Sequence, residues 1–233
     1  MAEAITRAVK GRKDISLIAL ASPQAPEWEP APPWFRTLED MPQRPDLLID
    51  FTLPEGTLAA ANWCAENAVP LLSGVTGLTT EVITALQAAS ARLPVLWSPN
   101  LSIGVNLVAD LAARAALVLD NDTPVVIEDI HHQWKKDAPS GTALMLGQLI
   151  ATARAEGGRA IGYESIREGE VIGEHTVTFS MNGEEFSLVH RAHNRSIYAL
   201  GALDAGIWLT TQAPGLYTAG DWLSGRSRIG RES

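Results

Sequence analysis

Short apolar runs alternate with helical segments through the first hundred residues, and this alternation constrains the fold more than any other feature. Strands that are joined through helices in this way lie parallel in one sheet, with helices on both of its faces. The sequence therefore predicts an α/β domain built on a doubly wound parallel sheet. The predicted strands are residues 14–20, 46–51, 69–73 and 94–97, and the predicted helices are residues 3–9, 57–67 and 78–92.

The second half of the chain has a different order, with helices first and consecutive strands later. Apolar helices predicted at 106–119 and 143–153 flank a β-branched strand predicted at 123–127. Two alternating strands, 171–180 and 185–192, then surround an Asn-Gly dipeptide, which is typical of a tight hairpin. This order predicts an α+β domain with an open, mixed sheet.

One stretch of the second half, residues 128–143, concentrates polar chemistry. It carries two adjacent histidines and two lysines, and it ends in Ser140-Gly141-Thr142 at the start of a predicted helix. A helix N-terminus offers free backbone N–H groups and a partial positive charge, which suit a carboxylate or a phosphate. A lysine four residues after His131 can donate a proton or hold a developing anion. The stretch predicts an anion site with acid chemistry beside it.

Each of these residues also has a purely structural interpretation. Ser140 alone predicts a helix N-cap, and the histidines and lysines alone predict a solvated loop. The complete cluster favours a functional site. A metal site fits poorly, because the lysines compete for the space and no cysteine or carboxylate completes a ligand set. We interpret His175 and His190 as structural residues at strand edges or subunit contacts.

The sequence His131-His132-x-x-Lys135-x-Asp137-Ala-Pro-Ser-Gly-Thr-Ala143 resembles the signature of the 4-hydroxy-tetrahydrodipicolinate reductase (dihydrodipicolinate reductase) family. The resemblance implies an oxidoreductase of lysine and diaminopimelate biosynthesis. It implies His131 and Lys135 as the proton-donating pair. The residues implied to hold the two carboxylates of a cyclic dicarboxylic imine are His132, Ser140, Gly141 and Thr142.

Three strand ends in the first half resemble the segments with which this family binds NADH or NADPH. The resemblance implies a Rossmann-like nucleotide domain of residues 1–101 and 214–233, a substrate domain of residues 102–213, and a homotetramer. The residues implied to bind the cofactor are Phe51, Thr52, Gly74, Val75, Thr76, Ser98, Pro99, Asn100 and Leu101.

The chain departs from the family at its beginning. A dinucleotide site needs a glycine-rich turn between the first strand and the first helix, and here the sequence starts at the helix, with Met1 at the family's internal methionine. We favour a start assigned to an internal methionine over a genuinely short chain. An acidic residue usually ends the second strand of the family, whereas Ala21-Ser22 carries no charge and leaves the choice between NADH and NADPH open.

Two alternatives to the reductase therefore stay open. One is a degenerate, non-catalytic paralogue that binds a cyclic dicarboxylate without a cofactor, and the other is a reductase of a different cyclic imine. The net charge of −9 argues against a nucleic-acid or anionic-membrane partner, and no apolar run is long enough to span a bilayer. The single cysteine excludes an intrachain disulfide and is typical of a cytoplasmic protein.

Overall fold

The molecule divides into two compact units. The computed structural model describes residues 1–30, 32–154 and 158–229. The first unit consists of Met1–Ser102 and the segment from Ser196 onward, and the second is Ile103–Arg195. The helix Ser196–Thr210 belongs to the first unit, although it lies inside the predicted second domain. The predicted bounds of a nucleotide-binding domain and a substrate-binding domain stay a prediction.

Helices and strands occur in both units. The helices are α1 (Ala2–Val9), α2 (Pro54–Asn67), α3 (Thr80–Ser90), α4 (Ile103–Val118), α5 (Gly141–Ala153), α6 (Ser196–Thr210) and α7 (Ala219–Ile229). The strands are β1 (Leu20–Ala21), β2 (Trp34–Phe35), β3 (Leu48–Asp50), β4 (Leu71–Ser73), β5 (Pro94–Trp97), β6 (Val125–His131), β7 (Gly162–Arg167), β8 (Gly173–Met181), β9 (Glu184–Ala192) and β10 (Gly215–Tyr217).

The first unit is built on a parallel sheet of strand order β10–β5–β4–β3. Side chains of successive strand residues point to opposite faces. Leu48 and Leu71 accordingly pack with helices α2 and α3, while Ile49 packs with α1 and α6. Helices on both faces of a parallel sheet confirm the predicted α/β fold.

The prediction of a strand at residues 14–20 is wrong for most of that range. Only Leu20 and Ala21 form a strand, and they pair with Trp34 and Phe35 in a separate two-stranded sheet. Apolar composition predicts an extended segment, but a strand also needs a hydrogen-bonded neighbour. Residues 14–19 have no such neighbour in the described part of the chain, and Ile15 packs instead beside the cluster formed by α1 and α6.

The second unit is built on a mixed sheet of strand order β7–β6–β8–β9. Strand β6 is parallel to β7 and antiparallel to β8, and β8 and β9 form the predicted hairpin, whose turn contains Gly183 with a φ of +90°. Helices α4 and α5 cover one face, where they pack on Val125, Ile127, Val177 and Phe179. This arrangement confirms the predicted open, mixed sheet.

Candidate active site

Strand β6 runs four residues further than predicted, and it carries the first histidine of the signature into the sheet. Its buried side chains alternate along the strand, and they are Val125, Ile127, Asp129 and His131. Because adjacent residues of a strand face opposite ways, His131 is buried with Asp129 while His132 turns to the other side. The two adjacent histidines therefore occupy different surroundings.

Asp129 is fully buried and collects four hydrogen-bond partners. Its Oδ1 lies 3.0 Å from His131 Nδ1 and 2.9 Å from the guanidinium of Arg167. Its Oδ2 accepts hydrogen bonds from the Ser165 hydroxyl at 2.6 Å and from the Ser140 backbone N–H at 3.3 Å. Burial pushes the pKa of the Asp129 carboxyl upward, but these hydrogen bonds and the charge of Arg167 outweigh burial and lower the pKa. The carboxylate is therefore ionised at neutral pH.

His131 is subject to the charges of both this carboxylate and Lys135. Burial lowers the pKa of the His131 imidazole most, the charge of Lys135 lowers it further, and Asp129 only partly opposes them. The ring is consequently neutral at neutral pH. Its Nε2 faces Gly173, where a Cβ atom would lie 3.1 Å from that nitrogen.

Lys135 forms an ion pair with Asp137, whose Oδ1 lies 2.8 Å from the lysine Nζ. Burial raises the pKa of Asp137, but its hydrogen bond with Lys135, with a contribution from the Gly141 backbone N–H, outweighs burial and lowers the pKa. Asp137 therefore links the lysine to the beginning of helix α5.

At the start of helix α5, Ser140 is buried and Gly141 is exposed. Ser140 is the N-cap, because its hydroxyl accepts a hydrogen bond from the Ala143 N–H at 3.2 Å. The same hydroxyl lies 3.2 Å from Nε2 of His175, so Ser140 is engaged on its buried side. Gly141 is exposed, and a Cβ atom there would meet nothing within 4 Å. Thr142 follows it and is half-buried.

His132 lines a shallow pocket of about 230 Å³ in the second unit. The other lining residues are Trp134, Glu170, Ile172 and Arg195. Within the described residues, the buried Nδ1 of His132 has no hydrogen-bond partner. The pocket is not lined by His131, Lys135 or Ser140, so the geometry does not gather all six predicted residues around one cavity. Their catalytic and substrate-binding roles stay a prediction.

Asp129 is not among the predicted site residues, and His175 is predicted to be structural. His175 pairs with Asp129 in the register of β8 on β6, and its ring centroid lies 5.1 Å from that of His131. Burial, with a smaller contribution from His131, lowers the pKa of His175 to about 3. The period-two pattern of β6 could have identified Asp129, whereas nothing local in the sequence identifies the approach of His175.

The predicted cofactor residues follow the carboxyl ends of the parallel strands of the first unit. The register pairs Asp50 with Ser73 and Ser73 with Trp97, so the three segments after these strands lie side by side. Asp50 ties them together, because its carboxylate accepts hydrogen bonds from the hydroxyls of Thr57 at 2.6 Å and Ser73 at 2.9 Å. It also accepts the backbone N–H of Thr52 at 2.9 Å.

The predicted cofactor site lies at this edge of the sheet. Ligands of parallel α/β sheets bind beyond the carboxyl ends of the strands. The chain is closely packed here, because a Cβ atom on Gly74 would overlap the Phe51 ring, while Thr52, Thr76 and Pro99 are exposed at the edge. The described residues contain no glycine-rich strand-to-helix turn that would suit the pyrophosphate.

Two further classes of site find no support in the part of the chain that the structure describes. There, no group of three or more His, Cys, Asp or Glu side chains is arranged to hold a metal ion. None of the described helices combines the length and the hydropathy that crossing a membrane requires.

Two family models together match nearly the whole chain. The model described as "Dihydrodipicolinate reductase, N-terminus" matches residues 1–101, and the one described as "Dihydrodipicolinate reductase, C-terminus" matches residues 104–223.

Similar curated proteins are named 4-hydroxy-tetrahydrodipicolinate reductase. The one from Stenotrophomonas maltophilia (strain R551-3) is 40% identical over 228 residues, which cover 96% of this chain and 93% of that protein. The one from Hahella chejuensis is 40% identical over 195 residues, which cover 76% of this chain and 73% of that protein.

Two solved structures are similar to this chain in fold. A dipicolinate-bound dihydrodipicolinate reductase from Paenisporosarcina sp. TG-14 is 25% identical, with a TM-score of 0.77 and coverage of 93% of this chain and 92% of that chain. A C. glutamicum DAP dehydrogenase in complex with DAP is 12% identical, with a TM-score of 0.58 and coverage of 99% of this chain and 95% of that chain, and it shares the fold.

Proposed function

Since the chain belongs to the dihydrodipicolinate reductase family, we propose that it reduces 4-hydroxy-tetrahydrodipicolinate to tetrahydrodipicolinate with NADH or NADPH. The reaction is a step of lysine and diaminopimelate biosynthesis. The observation that carries the proposal is the buried Asp129–His131 pair beside Lys135, at the strand end that leads to the N-terminus of helix α5.

The residues of the second unit supply the proton and hold the substrate. Lys135 and His131 lie close enough for the lysine charge to lower the pKa of the imidazole, so the two act as one acid–base pair. A substrate carboxylate binds at the open Gly141 and at Thr142, where backbone N–H groups and the helix dipole stabilise negative charge. His132, which lines the pocket of the second unit, contacts the second carboxylate.

The nine residues at the strand ends of the first unit bind the cofactor. Phe51 and Thr52 lie along its phosphates and ribose, and the residues of the other two strand ends hold the nicotinamide. The cofactor, when bound, supplies the hydride, and the protein contributes orientation and charge. Asp50 keeps the segments after β3 and β4 in place, and Gly74 allows the two to approach closely.

We also propose that the protein is a homotetramer in the cytoplasm. The support for assembly is the face of the mixed sheet opposite α4 and α5, where Val126, Ile130 and Val189 interrupt polar side chains and Val189 is 43% exposed. Analytical ultracentrifugation at several protein concentrations tests this assembly. A monomer at all concentrations would contradict it.

A fluorescence titration of NADH and NADPH into the purified chain, with and without pyridine-2,6-dicarboxylate, tests the reductase. Micromolar binding of a cofactor together with the dicarboxylate supports the reductase. Binding of the dicarboxylate without either nucleotide supports the non-catalytic alternative.

Gly141→Ala examines the carboxylate site within the same titration. A Cβ atom at residue 141 fills open space, so we expect an unchanged fold and dicarboxylate binding weakened by about tenfold. Gly220→Ala is the matched control, because its Cβ atom would make only an ordinary contact of 3.5 Å with Thr218 in the first unit. Equal affinities in both variants would remove the start of α5 from the binding site.

A further inference from the structure

We propose that Asp129 is the positioning residue of the proton transfer, because it fixes His131 in a single orientation and a single tautomer. In that tautomer Nδ1 carries the hydrogen and Nε2 is the nitrogen that exchanges a proton with the substrate. This inference deepens the proposed reductase function and rests on it for its catalytic consequence.

The carboxylate that holds His131 is itself immobile. Its Oδ1 is shared by His131 and Arg167, and its Oδ2 is held by Ser165 and by the backbone of Ser140. These partners come from three segments, β6, β7 and the start of α5. Rotating the carboxylate would break hydrogen bonds on both oxygens, each in a buried place where an unpaired group is costly.

The tautomer follows from what each group can donate. An ionised carboxylate has no hydrogen to give and can only accept. The 3.0 Å contact therefore requires His131 to donate its Nδ1–H to Asp129. In the neutral ring the lone pair is then on Nε2, and in the protonated ring Nε2 carries the hydrogen that can be transferred.

The surroundings of Nε2 keep that nitrogen usable. A Cβ atom on Gly173 would lie 3.1 Å from Nε2, so the glycine preserves space beside it. His175 supports the ring at a centroid distance of 5.1 Å and an interplanar angle of 74°. Burial lowers the pKa of His175 to about 3, so His175 is neutral at neutral pH and adds no second positive charge beside His131.

The proton transfer from His131 to the substrate requires no oxidant or reductant. When protonated His131 acts, the Nε2–H bond breaks, a new bond to hydrogen forms on the substrate, and the ring returns to its neutral form. The Nδ1–H stays on the ring throughout, donated to Asp129. Because the resting ring is neutral at neutral pH, solvent delivers the proton to Nε2 within each turnover, before its transfer to the substrate. Asp129 thus stabilises the imidazolium and fixes its direction without itself taking the proton.

Asp129→Asn tests the assignment, with Ser165→Ala as the matched control. The asparagine can offer its NH₂ group to Nδ1, which moves the ring hydrogen to Nε2. We expect kcat to fall by about 10²–10⁴-fold, with a much smaller change in the affinity for pyridine-2,6-dicarboxylate and an altered pH profile of kcat. Ser165→Ala removes a hydrogen bond on the other carboxylate oxygen, and it should leave the tautomer and the pH profile unchanged.

Nitrogen-15 NMR of the histidine side chains gives a readout that needs no turnover. In the unmodified protein, neutral His131 should show the Nδ1–H tautomer, and in Asp129→Asn the Nε2–H tautomer. An Nε2–H tautomer in the unmodified protein would overturn the proposal whether or not the variant folds. An unmodified chain that shows the Nδ1–H tautomer but reduces no substrate would instead refute the reductase and leave the assignment of Asp129 standing.

A loss of kcat that is equally large in Ser165→Ala would also overturn the proposal, since it would reveal a general structural role for the carboxylate. Asp129→Glu provides the graded comparison. It keeps the charge and can still accept the Nδ1–H, so part of the activity lost in Asp129→Asn should return.

Discussion

Each unit buries one aspartate at or near the end of a strand, and the two differ in their partners. Within the part of the chain that the structure describes, the hydrogen bonds to the Asp50 carboxylate come from neutral groups, namely the hydroxyls of Thr52, Thr57 and Ser73 and a backbone N–H. Asp129, in the second unit, is bound by a guanidinium and an imidazole as well as a hydroxyl and a backbone N–H.

This difference separates a structural carboxylate from one that directs chemistry. Neutral hydroxyls do not titrate, so Asp50 joins chain segments without coupling to a proton transfer. The imidazole beside Asp129 does titrate, so that carboxylate can set the state of a reactive group. Two residues of the same type, similarly placed on their strands, therefore acquire different roles from their neighbours alone.

The largest expected effect lies on the second unit. His131→Gln or Lys135→Ala should lower turnover by about 10²–10⁴-fold with a much smaller effect on dicarboxylate affinity, because general acid catalysis contributes in the transition state. Steady-state kinetics together with calorimetric binding of pyridine-2,6-dicarboxylate measures both. Lys136→Ala is the control, since Lys136 is the exposed neighbour of Lys135. Unchanged turnover in either variant would remove that residue from the mechanism.

Acid should destabilise the second unit selectively. The five histidines of the chain all lie within Ile103–Arg195, and burial lowers the pKa of three of them, His131, His175 and His190. The unfolded chain therefore binds protons that the folded unit does not, so stability falls as pH drops below the ordinary histidine value of about 6.5. Asp129 affects the stability only at a lower pH. Because its pKa is lowered in the folded protein, its stabilising contribution is lost below about pH 4.

Hydrogen exchange measured peptide by peptide at pH 7 and pH 5, after correction for the intrinsic rates, distinguishes the two units. Protection should fall in the second unit and hold in the first. His175→Gln removes the residue with the largest shift and should flatten the dependence. Equal losses of protection in both units would contradict this contrast.

Asp50→Asn should reduce the free energy of unfolding by about 1–3 kcal/mol, because the amide NH₂ cannot accept the hydrogen bonds of the buried hydroxyls. It should leave the pH profile of kcat unchanged, in contrast to Asp129→Asn. Cys64 is buried in the same unit and is the single cysteine, so its rate of labelling by a thiol reagent follows the opening of that unit.

Asp40→Asn is the matched control for Asp50→Asn, since Asp40 receives similar hydrogen bonds from Thr37 at an exposed position. Its effect should be within about 0.5 kcal/mol. A similar loss of stability in both variants would show that burial is not the reason for the stabilising effect of Asp50.

Local patterns carried much of the fold and of the candidate site. The alternation of strands and helices predicted the parallel sheet, the Asn-Gly turn predicted the hairpin of β8 and β9, and Ser140 was recognised as an N-cap. Each depends on residues close in sequence, whose side-chain spacing and backbone preferences are set by the period of the element.

Only the tertiary structure decided which distant groups meet. Residues 14–19 have a strand-like composition but no paired strand among the described residues, and their composition does not reveal whether a partner strand is present. Asp129 likewise acquires Ser165, Arg167 and His175 from β7 and β8, strands that are distant in sequence. The sequence determined that a histidine, a lysine and a helix start lie together. Strand pairing decided which carboxylate holds that histidine, because hydrogen bonds between strands are set by register over long separations.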